Sequence, residues 1–309
     1  MPDQGIEENI KSVNRNFGTE FQVSSGIGIG QFMNLIDERN LLVHLTMYGS
    51  PLDERIQEIR DRSKKSEKMF VFVGAEKVPG IAYLRSDFNV SVTNQPISEV
   101  SALALFLDRY FEGEELKNET HGRIRISGNA RGKSVTFYPD KKDCMELLLK
   151  YKANEWLIEH STASNQLAMI IANKIECNRE IVDAGSLLHD IGRTVTGGIQ
   201  HAYEGFEICK RENIGTEISN CVLKHTGAGI NGDEARKLGL PDLDFMPRTI
   251  EEKIVSTADN LILGNERISI EDQLRRYREK GLVEAAERME LLFKEIEEIS
   301  KLDLDSLEI

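Results

Sequence analysis

The sequence contains no apolar stretch that approaches the roughly 20 residues that a membrane-spanning helix requires. Its first residues, MPDQGIEEN, are polar and acidic and do not resemble a secretory signal, so we expect a cytoplasmic protein. Cysteine is scarce as well, with only Cys144, Cys177, Cys209 and Cys221 and no CxxC pair. This spacing favours reduced thiols over a disulfide framework or a zinc site.

Two common nucleotide-binding motifs are also missing, because the chain contains neither GxGxxG nor GxxxxGK[ST]. Hydrophobic residues make up 40% and charged residues 29% of the 309 positions, which is typical of a globular protein long enough for two domains. The net charge of -13 lies mostly in the second half, since residues 1–138 carry -2 and the remainder carries -11. The overall acidity therefore does not exclude a nucleic-acid partner for the first half.

The first part of the chain alternates between strand-like and helix-like patterns. Apolar runs predict strands over 41–46, 69–73 and 88–92. Amphipathic patterns predict helices over 31–40, 51–65 and 99–111. This alternation is typical of an α/β domain with a mainly parallel sheet. A turn-rich segment, SGNARGK, then joins two more strand-like pieces, and the charged segment 139–143 follows. We therefore predict a first domain over residues 1–138.

Beyond residue 138 the apolar residues recur almost everywhere with helical spacing. The predicted helices cover 145–159, 164–175, 181–191, 202–212, 218–223, 250–263 and 271–300. We therefore predict an all-α second domain over residues 139–309.

Three candidate strands of the first domain end on residues suited to ligand binding. In open α/β sheets, ligands bind beyond the carboxyl ends of the strands. Gly74 would let the backbone approach a ligand closely, and Asn94 and Gln95 offer donors and acceptors that suit an adenine edge or ribose hydroxyls. Ordinary turns often have this composition, so spacing alone leaves both interpretations open.

The segments VHLTMYG, VGAEKVP and NQPISEVSALALFLDR, in this order, closely resemble the archaeal tRNA cytidine-56 2'-O-ribose methyltransferase family, a branch of the SPOUT methyltransferases. The similarity covers residues 5–138. It implies an α/β SPOUT domain with a trefoil knot, S-adenosyl-L-methionine bound in the knot loops, tRNA as the substrate and a homodimer. The cofactor-binding residues that it implies are Leu45, Gly74, Ala75, Glu76, Lys77, Val78, Val92, Thr93, Asn94, Gln95, Pro96, Ile97, Ser98 and Glu99.

The sequence departs from the family pattern in two places. The family has Gly-Asn-Gln-Pro-His where this chain has Thr93-Asn94-Gln95-Pro96-Ile97, and the β-branched Thr93 narrows the approach of the backbone to a ligand. The family's amino-terminal strand and its RLGHR-like loop, whose arginine is thought to organise the ribose hydroxyl, do not occur in this sequence. The catalytic residue for methyl transfer is therefore unknown.

A basic hairpin closes the predicted first domain. Arg123, Arg125, Arg131 and Lys133 fall in a short segment without an acidic residue. Such a segment could contact tRNA phosphates, but an ordinary solvated hairpin explains it equally well.

Four of the six histidines lie in the helical half, where His189-Asp190 lies late in the apolar helix predicted over 181–191 and Asp259 lies in a second apolar helix. Packing alone is a poor explanation for two polar, metal-competent side chains in an apolar segment. Neutral imidazoles together with carboxylates suit a borderline or hard divalent metal.

The pattern H…HD…H…H…D, with HDIGR as its most specific stretch, resembles the HD-domain phosphohydrolase superfamily over residues 145–270. The resemblance implies an all-α fold and a divalent metal whose ligands are His160, His189, Asp190 and Asp259. It also implies a second metal or a phosphate contact at His201 and His225, and Arg193 could bind a phosphate oxygen. The metal would polarise a phosphoryl oxygen as a Lewis acid.

Three hypotheses for the whole protein follow from these resemblances. In the first, the chain methylates the ribose of cytidine 56 in tRNA and has an appended HD metal site of unknown substrate. In the second, it is a metal-dependent phosphohydrolase whose incomplete SPOUT half serves for dimerisation and tRNA binding. In the third, both halves are interaction scaffolds.

Overall fold

The computed structural model of the chain describes residues 4–74, 77–117 and 120–308. The chain folds as two compact units: Met1–Val13 with Glu20–Thr120, and Asn14–Thr19 with His121–Ile309. The basic hairpin thus belongs to the second unit, whereas the sequence pattern assigns it to the first domain. The domain boundary after residue 138 stays a prediction.

The first unit is built on three parallel strands in the order β2-β1-β3. They are β1 (Asn40–Pro51), β2 (Lys68–Val73) and β3 (Phe88–Ser91). The helices of this part of the chain are α1 (Gln4–Phe17), α2 (Ile29–Met33), α3 (Leu52–Ser63), α4 (Gly80–Arg85) and α5 (Glu99–Phe111). Leu41, Val43 and Val90 of the sheet are fully buried, and they share one hydrophobic cluster with Ile59 and Phe106 of the helices. The predicted α/β arrangement with a parallel sheet is confirmed for this unit.

The predicted helix over 31–40 is wrong in extent. The structure has only the short α2 there, and a turn at Asp37 then leads into β1. The Asp37 carboxylate accepts hydrogen bonds from the Arg39 backbone N–H at 3.0 Å and from Asn40 Nδ2 at 2.6 Å. Such local side-chain bonds to Asp compete with helix propagation.

A bulge in β1 interrupts its pairing with β3. Leu45 and Ser50 both pair with Val90, so the residues between them project from the sheet. Gly49 allows the two backbones to approach, since a Cβ atom there would lie 2.6 Å from backbone atoms of Asn89 and Val90. The bulge therefore places Thr46, Met47 and Tyr48 beyond the carboxyl end of the regular strand pairing.

The second unit contains the hairpin β4 (Ile124–Ser127) and β5 (Ser134–Phe137), followed by helices. The helices are α6 (Lys141–Lys150), α7 (Glu155–Ala172), α8 (Arg179–Leu188), α9 (His201–Arg211), α10 (Thr216–Lys224), α11 (Gly232–Lys237), α12 (Ile250–Asn260), α13 (Ile270–Glu279) and α14 (Val283–Ser300). A 3-10 turn over Ile191–Thr194 follows α8, and a two-residue pair, β6 (Ile262–Leu263) with β7 (Glu266–Arg267), follows α12. The predicted helical character is confirmed, with these short strands as additions.

Two predicted long helices are each divided in the structure. The predicted helix 145–159 breaks at Lys152, whose φ is 60°, before the Asn154 side chain caps α7 by accepting the Leu157 N–H. The predicted helix 271–300 breaks at Gly281, whose φ is 75°, between α13 and α14. The second break lets α13 and α14 fold back on each other as a helical hairpin.

The core of the second unit includes residues of α7, α8, α10 and α12, together with residues of α6, α9 and α14. Leu167, Leu187, Val222 and Ile254 are completely buried there. Burial of such side chains contributes about 1.5–3 kcal/mol each. None of the helices in the described residues combines the length and the apolar character needed to cross a membrane.

Gly192, in the HDIGR motif, is where the 3-10 turn touches α9. A Cβ atom at this position would overlap the His201 carbonyl oxygen and would lie 2.5 Å from the Gly205 backbone nitrogen. A glycine is required here because backbone, and not a flexible side chain, faces it. This close packing fixes the first turn of α9 beside the residues that follow α8.

We expect Gly192→Ala to lower the free energy of unfolding by about 3 kcal/mol, because the new methyl group forces the 3-10 turn and α9 apart. Urea denaturation followed by circular dichroism measures the change. Gly197→Ala is the matched control, since nothing lies within 4 Å of a Cβ atom there. Equal stability of the two variants would contradict this account of the motif.

Candidate functional site

The first candidate site is a cavity of about 240 Å³ at the carboxyl ends of the three parallel strands. Its position is the one in which open α/β sheets bind ligands. The bulge of β1 forms one wall, and the segments after β2 and β3 form the others. The lining residues are His44, Leu45, Thr46, Met47, Tyr48, Val73, Gly74, Val78, Tyr83, Val92, Thr93, Pro96, Ile97, Glu99 and Ala102.

Eight of the predicted cofactor residues line this cavity: Leu45, Gly74, Val78, Val92, Thr93, Pro96, Ile97 and Glu99. Lys77, Asn94, Gln95 and Ser98 are not among the lining residues, and Ala75 and Glu76 lie outside the described part of the chain. The side-chain amide of Asn94 instead donates to the Met47 carbonyl oxygen at 2.7 Å. Ser98 caps α5 by accepting the Ser101 N–H. The cofactor role of each residue stays a prediction.

His44 is a buried polar residue in this cavity wall. The Asn89 amide nitrogen donates to the Tyr83 carbonyl at 3.0 Å, so its oxygen faces His44 Nδ1, 2.8 Å away, as an acceptor. His44 therefore carries its proton on Nδ1, and burial lowers the pKa of the ring and keeps it neutral. Its Nε2 is a buried acceptor without a partner in the part of the chain that the structure describes.

The second candidate site is a cluster of imidazoles and carboxylates between helices of the second unit. His160 comes from α7, His189 and Asp190 follow α8, and Asp259 comes from α12. His160 Nε2 and His189 Nε2 lie 3.1 Å and 3.2 Å from the same oxygen of Asp259. The other side of this group is Asp190 Oδ2, which is 3.6 Å from His160 Nε2. The four residues predicted to hold one metal are thus brought together.

The remaining two histidines join the same carboxylate. His201, at the start of α9, and His225, which caps α10, approach Asp190 Oδ1 with their Nε2 atoms at 3.1 Å and 3.3 Å. Asp190 therefore lies between two groups of possible ligands, one at each oxygen. His160, His189 and Asp190 form the first, and Asp190, His201 and His225 the second. Asp190 Oδ1 has no geometrically acceptable hydrogen bond among the described residues, although it is buried.

All four imidazoles are oriented in the same way by the backbone. The Nδ1 atoms of His160, His189, His201 and His225 lie 2.7–2.8 Å from the carbonyl oxygens of Gly264, Ser186, Gly198 and Val222 respectively. A carbonyl only accepts, so each Nδ1 carries a proton. A ring in its neutral form therefore directs an Nε2 lone pair into the cluster. This is the orientation that metal-ligating histidines adopt.

The cluster favours a positive charge at its centre. Two lone pairs would face each other across the 3.2 Å between His160 Nε2 and His189 Nε2, unless a cation or a proton lies there. Burial opposes protonation of His189, but the carboxylates of Asp190 and Asp259 raise its pKa to about 9. Burial opposes ionisation of Asp259, yet the neighbouring His189 holds its pKa well below the usual range. The donor set therefore fits a divalent metal.

A cavity of about 200 Å³ adjoins this cluster. Trp156 stacks on His160 with an angle of 6° between the rings, and the Arg193 guanidinium lies 6.0 Å from the Trp156 ring. Arg193, predicted to bind a phosphate, is ion-paired with Asp190 Oδ2. The lining residues that the sequence patterns do not single out include the polar Thr226, Asn260, Gln273 and Tyr277.

The four predicted tRNA contacts divide into two pairs. Arg123 donates to Asp143 at 2.6 Å and to Asn16 at 3.2 Å, and the Arg125 guanidinium lies 3.5 Å from the centre of the Tyr138 ring. Arg131 and Lys133 are exposed around the hairpin turn. The second pair is therefore the more exposed of the two.

Comparison with protein families matches residues 17–136 to the family described as tRNA ribose 2'-O-methyltransferase, aTrm56, and residues 157–263 to the HD domain. The tRNA (cytidine(56)-2'-O)-methyltransferase of Thermoplasma volcanium is 46% identical over 306 residues, which is 99% of this chain and 89% of that protein. The protein of the same name from Picrophilus torridus is 46% identical over 305 residues, 99% of this chain and 88% of that protein.

Shorter relatives match the first part only. The protein of the same name from Methanothrix thermoacetophila is 46% identical over 134 residues, 43% of this chain and 75% of that protein. Among solved structures, the HD domain of the Listeria monocytogenes phosphodiesterase PgpH covers 52% of this chain and 98% of its own, at 16% identity and a TM-score of 0.35.

We expect Mn²⁺ to raise the melting temperature of the protein by roughly 5–10 °C at a hundredfold excess over its Kd, because only the folded chain assembles the ligands. Asp190→Asn removes the charge shared by both groups of ligands and should abolish this increase. Asp242→Asn, at an exposed position, is the control and should retain it. Differential scanning calorimetry with and without metal measures the shift, and an equal shift in both variants would contradict the assignment.

Proposed function

Because the chain belongs to the tRNA (cytidine(56)-2'-O)-methyltransferase family, we propose that it transfers a methyl group from S-adenosylmethionine to the ribose 2'-oxygen of cytidine 56 in tRNA. The observation that carries this proposal is the 46% identity over 99% of the chain, which extends through both halves. The cavity at the carboxyl ends of the parallel strands gives the proposal a location.

The cavity residues fit the proposed cofactor. S-adenosylmethionine supplies an electrophilic methyl group on its sulfonium. Leu45, Val92 and Ile97 form apolar surface of the kind that excludes water from an adenosyl group, and Glu99 supplies a carboxylate at the wall. The unpaired Nε2 of His44 is a buried acceptor in the same wall of the described structure. The proposed cofactor site thus combines apolar walls with a few polar groups that fix orientation.

The trefoil knot and the homodimer belong to the same proposal. The crossing segments of a knot would be those after β2 and β3, which line the cavity together. Leu84, Val100 and Tyr48 are 85%, 80% and 78% exposed in this unit. Coverage of these side chains by a second copy of the chain accounts for their exposure.

The exposed charges of Arg131 and Lys133 support a contact with tRNA phosphates. Both lie at the hairpin turn, and in the described part of the chain neither forms an ion pair. Arg123 and Arg125, in contrast, contribute to the packing of the second unit. The proposed RNA contact is therefore limited to the turn.

The second candidate function is a metal-dependent phosphohydrolase in the helical half. It is favoured by the orientation of four imidazoles toward the two oxygens of Asp190. His160, His189, Asp190 and Asp259 would hold one metal, and His201 and His225 would hold a second with Asp190 between them. A bound divalent ion would supply Lewis-acid polarisation of a phosphoryl oxygen. In this alternative the first half serves for dimerisation and tRNA binding.

We expect the protein to incorporate one methyl group per tRNA transcript, and to incorporate none when cytidine 56 lacks its 2'-hydroxyl. Thr93→Trp should fill the cavity and raise the Kd for S-adenosylmethionine at least tenfold, since Thr93 lines it. Gln57→Trp in α3 is the control, because Gln57 is exposed and does not line the cavity. Radiolabelled methyl transfer and equilibrium dialysis provide the measurements.

Equal loss of affinity in the two tryptophan variants would contradict this location of the cofactor. Absence of methyl transfer by the wild-type chain, with tRNA and metal binding retained, would favour the phosphohydrolase alternative.

We expect the double variant Arg131→Gln, Lys133→Gln to weaken tRNA binding and to reduce the slope of log K against log salt by about 2, because two phosphate contacts are lost. Filter binding at several salt concentrations measures the slope. Lys64→Gln with Lys65→Gln, at exposed positions of another surface, is the charge-matched control. An unchanged slope in the hairpin variant would exclude the contact.

A further inference from the structure

The cavity beside the imidazole–carboxylate cluster has a second wall that does not consist of metal ligands. Thr226 follows His225 and α10, and Gln273 and Tyr277 come from α13, beyond the residues that match the HD family. Gln273 and Tyr277 thus come from outside the region that matches the HD family, whereas Thr226 lies inside it, and none of the three was predicted as a metal ligand. The polar groups of this wall indicate what kind of ligand the cavity accepts.

The side chain of Asn260, one polar group of this wall, is hydrogen-bonded to other residues of the protein. The Asn260 amide nitrogen donates to the carbonyl oxygens of Gly227 and Ser256, both at 2.7 Å, and Gln273 Nε2 donates to Asn260 Oδ1 at 3.4 Å. Ser256 also donates to the Gly227 carbonyl. These bonds fix the loop after His225, so Asn260 has a structural role.

Thr226, in that fixed loop, has an unused hydroxyl. Its oxygen is buried and has no hydrogen-bond partner within the described ranges. A buried hydroxyl without a partner costs about 1–3 kcal/mol, and a ligand in the adjoining cavity would offset that cost.

Tyr277 provides a second free hydroxyl. Its oxygen lies 3.3 Å from the position of a Cβ atom on Gly227, whose φ is 57°. The ring edge thus packs on the backbone of the loop that contains Thr226. No described residue forms a hydrogen bond with the Tyr277 hydroxyl, and the Arg193 guanidinium lines the same cavity. Three donor groups therefore border a space next to the metal-capable cluster.

We propose that Thr226 and Tyr277 bind the non-bridging oxygens of a phosphate monoester, whose phosphorus lies beside the cluster of Asp190. This inference rests on the proposed phosphohydrolase function. Hydroxyl and guanidinium donors suit an oxyanion, and a monoester offers three terminal oxygens to them. The cavity of about 200 Å³ leaves room for the phosphate next to these donors, and Trp156 is among the residues that line it.

The reaction that follows is simple hydrolysis of the ester. Water adds to phosphorus while the bond from phosphorus to the ester oxygen breaks. One proton of the water passes to the alcohol, and the other stays on inorganic phosphate. Thr226 and Tyr277 hold the phosphoryl oxygens during this step and are positioning residues, since neither exchanges a proton with the substrate.

The test uses the full chain loaded with Mn²⁺, with p-nitrophenyl phosphate as substrate and inorganic phosphate as inhibitor. Thr226→Val and Tyr277→Phe each remove one hydroxyl and keep the shape of the side chain. We expect the KM and the phosphate inhibition constant to rise about tenfold in each variant, because each loses one hydrogen bond to a charged group. The change in kcat should be smaller. Thr257→Val is the matched control, since its buried hydroxyl is also unpartnered among the described residues but lies away from the cavity.

The outcomes separate this inference from the function on which it rests. If the wild-type protein neither hydrolyses p-nitrophenyl phosphate nor binds phosphate, the phosphohydrolase function fails. If it does both but Thr226→Val and Tyr277→Phe behave like Thr257→Val, the two hydroxyls do not bind substrate. Faster hydrolysis of bis(p-nitrophenyl) phosphate than of the monoester would overturn the substrate class. The metal-induced rise in melting temperature should persist in all three variants, because none removes a metal ligand.

Discussion

The organisation of the helical unit depends on the hydrogen bonds from four imidazole Nδ1 atoms to backbone carbonyls. These bonds fix the protonation of each neutral ring and direct four lone pairs toward Asp190. An arrangement of buried acceptors without donors is unfavourable until a cation joins it. Metal affinity is therefore a property of the backbone conformation at three helix ends as much as of the side chains, since the carbonyls belong to residues 186, 198 and 222 and to the turn at Gly264.

Much of this cluster could be predicted from the sequence, because polar side chains in apolar segments such as GSLLHDIGR need a partner. All six residues predicted as ligands lie in one cluster. Thr226 and Tyr277 could not be found in this way. A threonine in a loop and a tyrosine in an amphipathic helix are ordinary, and the break at Gly281 that divides the predicted helix into α13 and α14 depends on a single backbone conformation.

In the first unit, the fold was easier to predict from the sequence than the directions of single side chains. Its parallel sheet and the position of its cavity follow from apolar runs that end on Gly74 and Thr93, and these were predicted. The directions of individual side chains could not be predicted, because hydrogen-bond partners nearby in the fold determine them. Asn94 has the chemistry of an adenine contact, yet its amide bonds the Met47 carbonyl that the bulge of β1 brings within reach. The residues of that bulge, in contrast, form a wall of the cavity just beyond residue 46, where the predicted strand ends.

Because of the bulge, the length of that cavity wall can change without a change in the register of the sheet. Leu45 and Ser50 both pair with Val90, so the four residues between them add nothing to the ladder. An insertion or a deletion there changes the depth of the binding cavity, while every cross-strand neighbour keeps its place. Evolution can thus adjust the fit to a ligand at this point without refolding the sheet, and Thr46, Met47 and Tyr48 are the natural positions at which to redesign it.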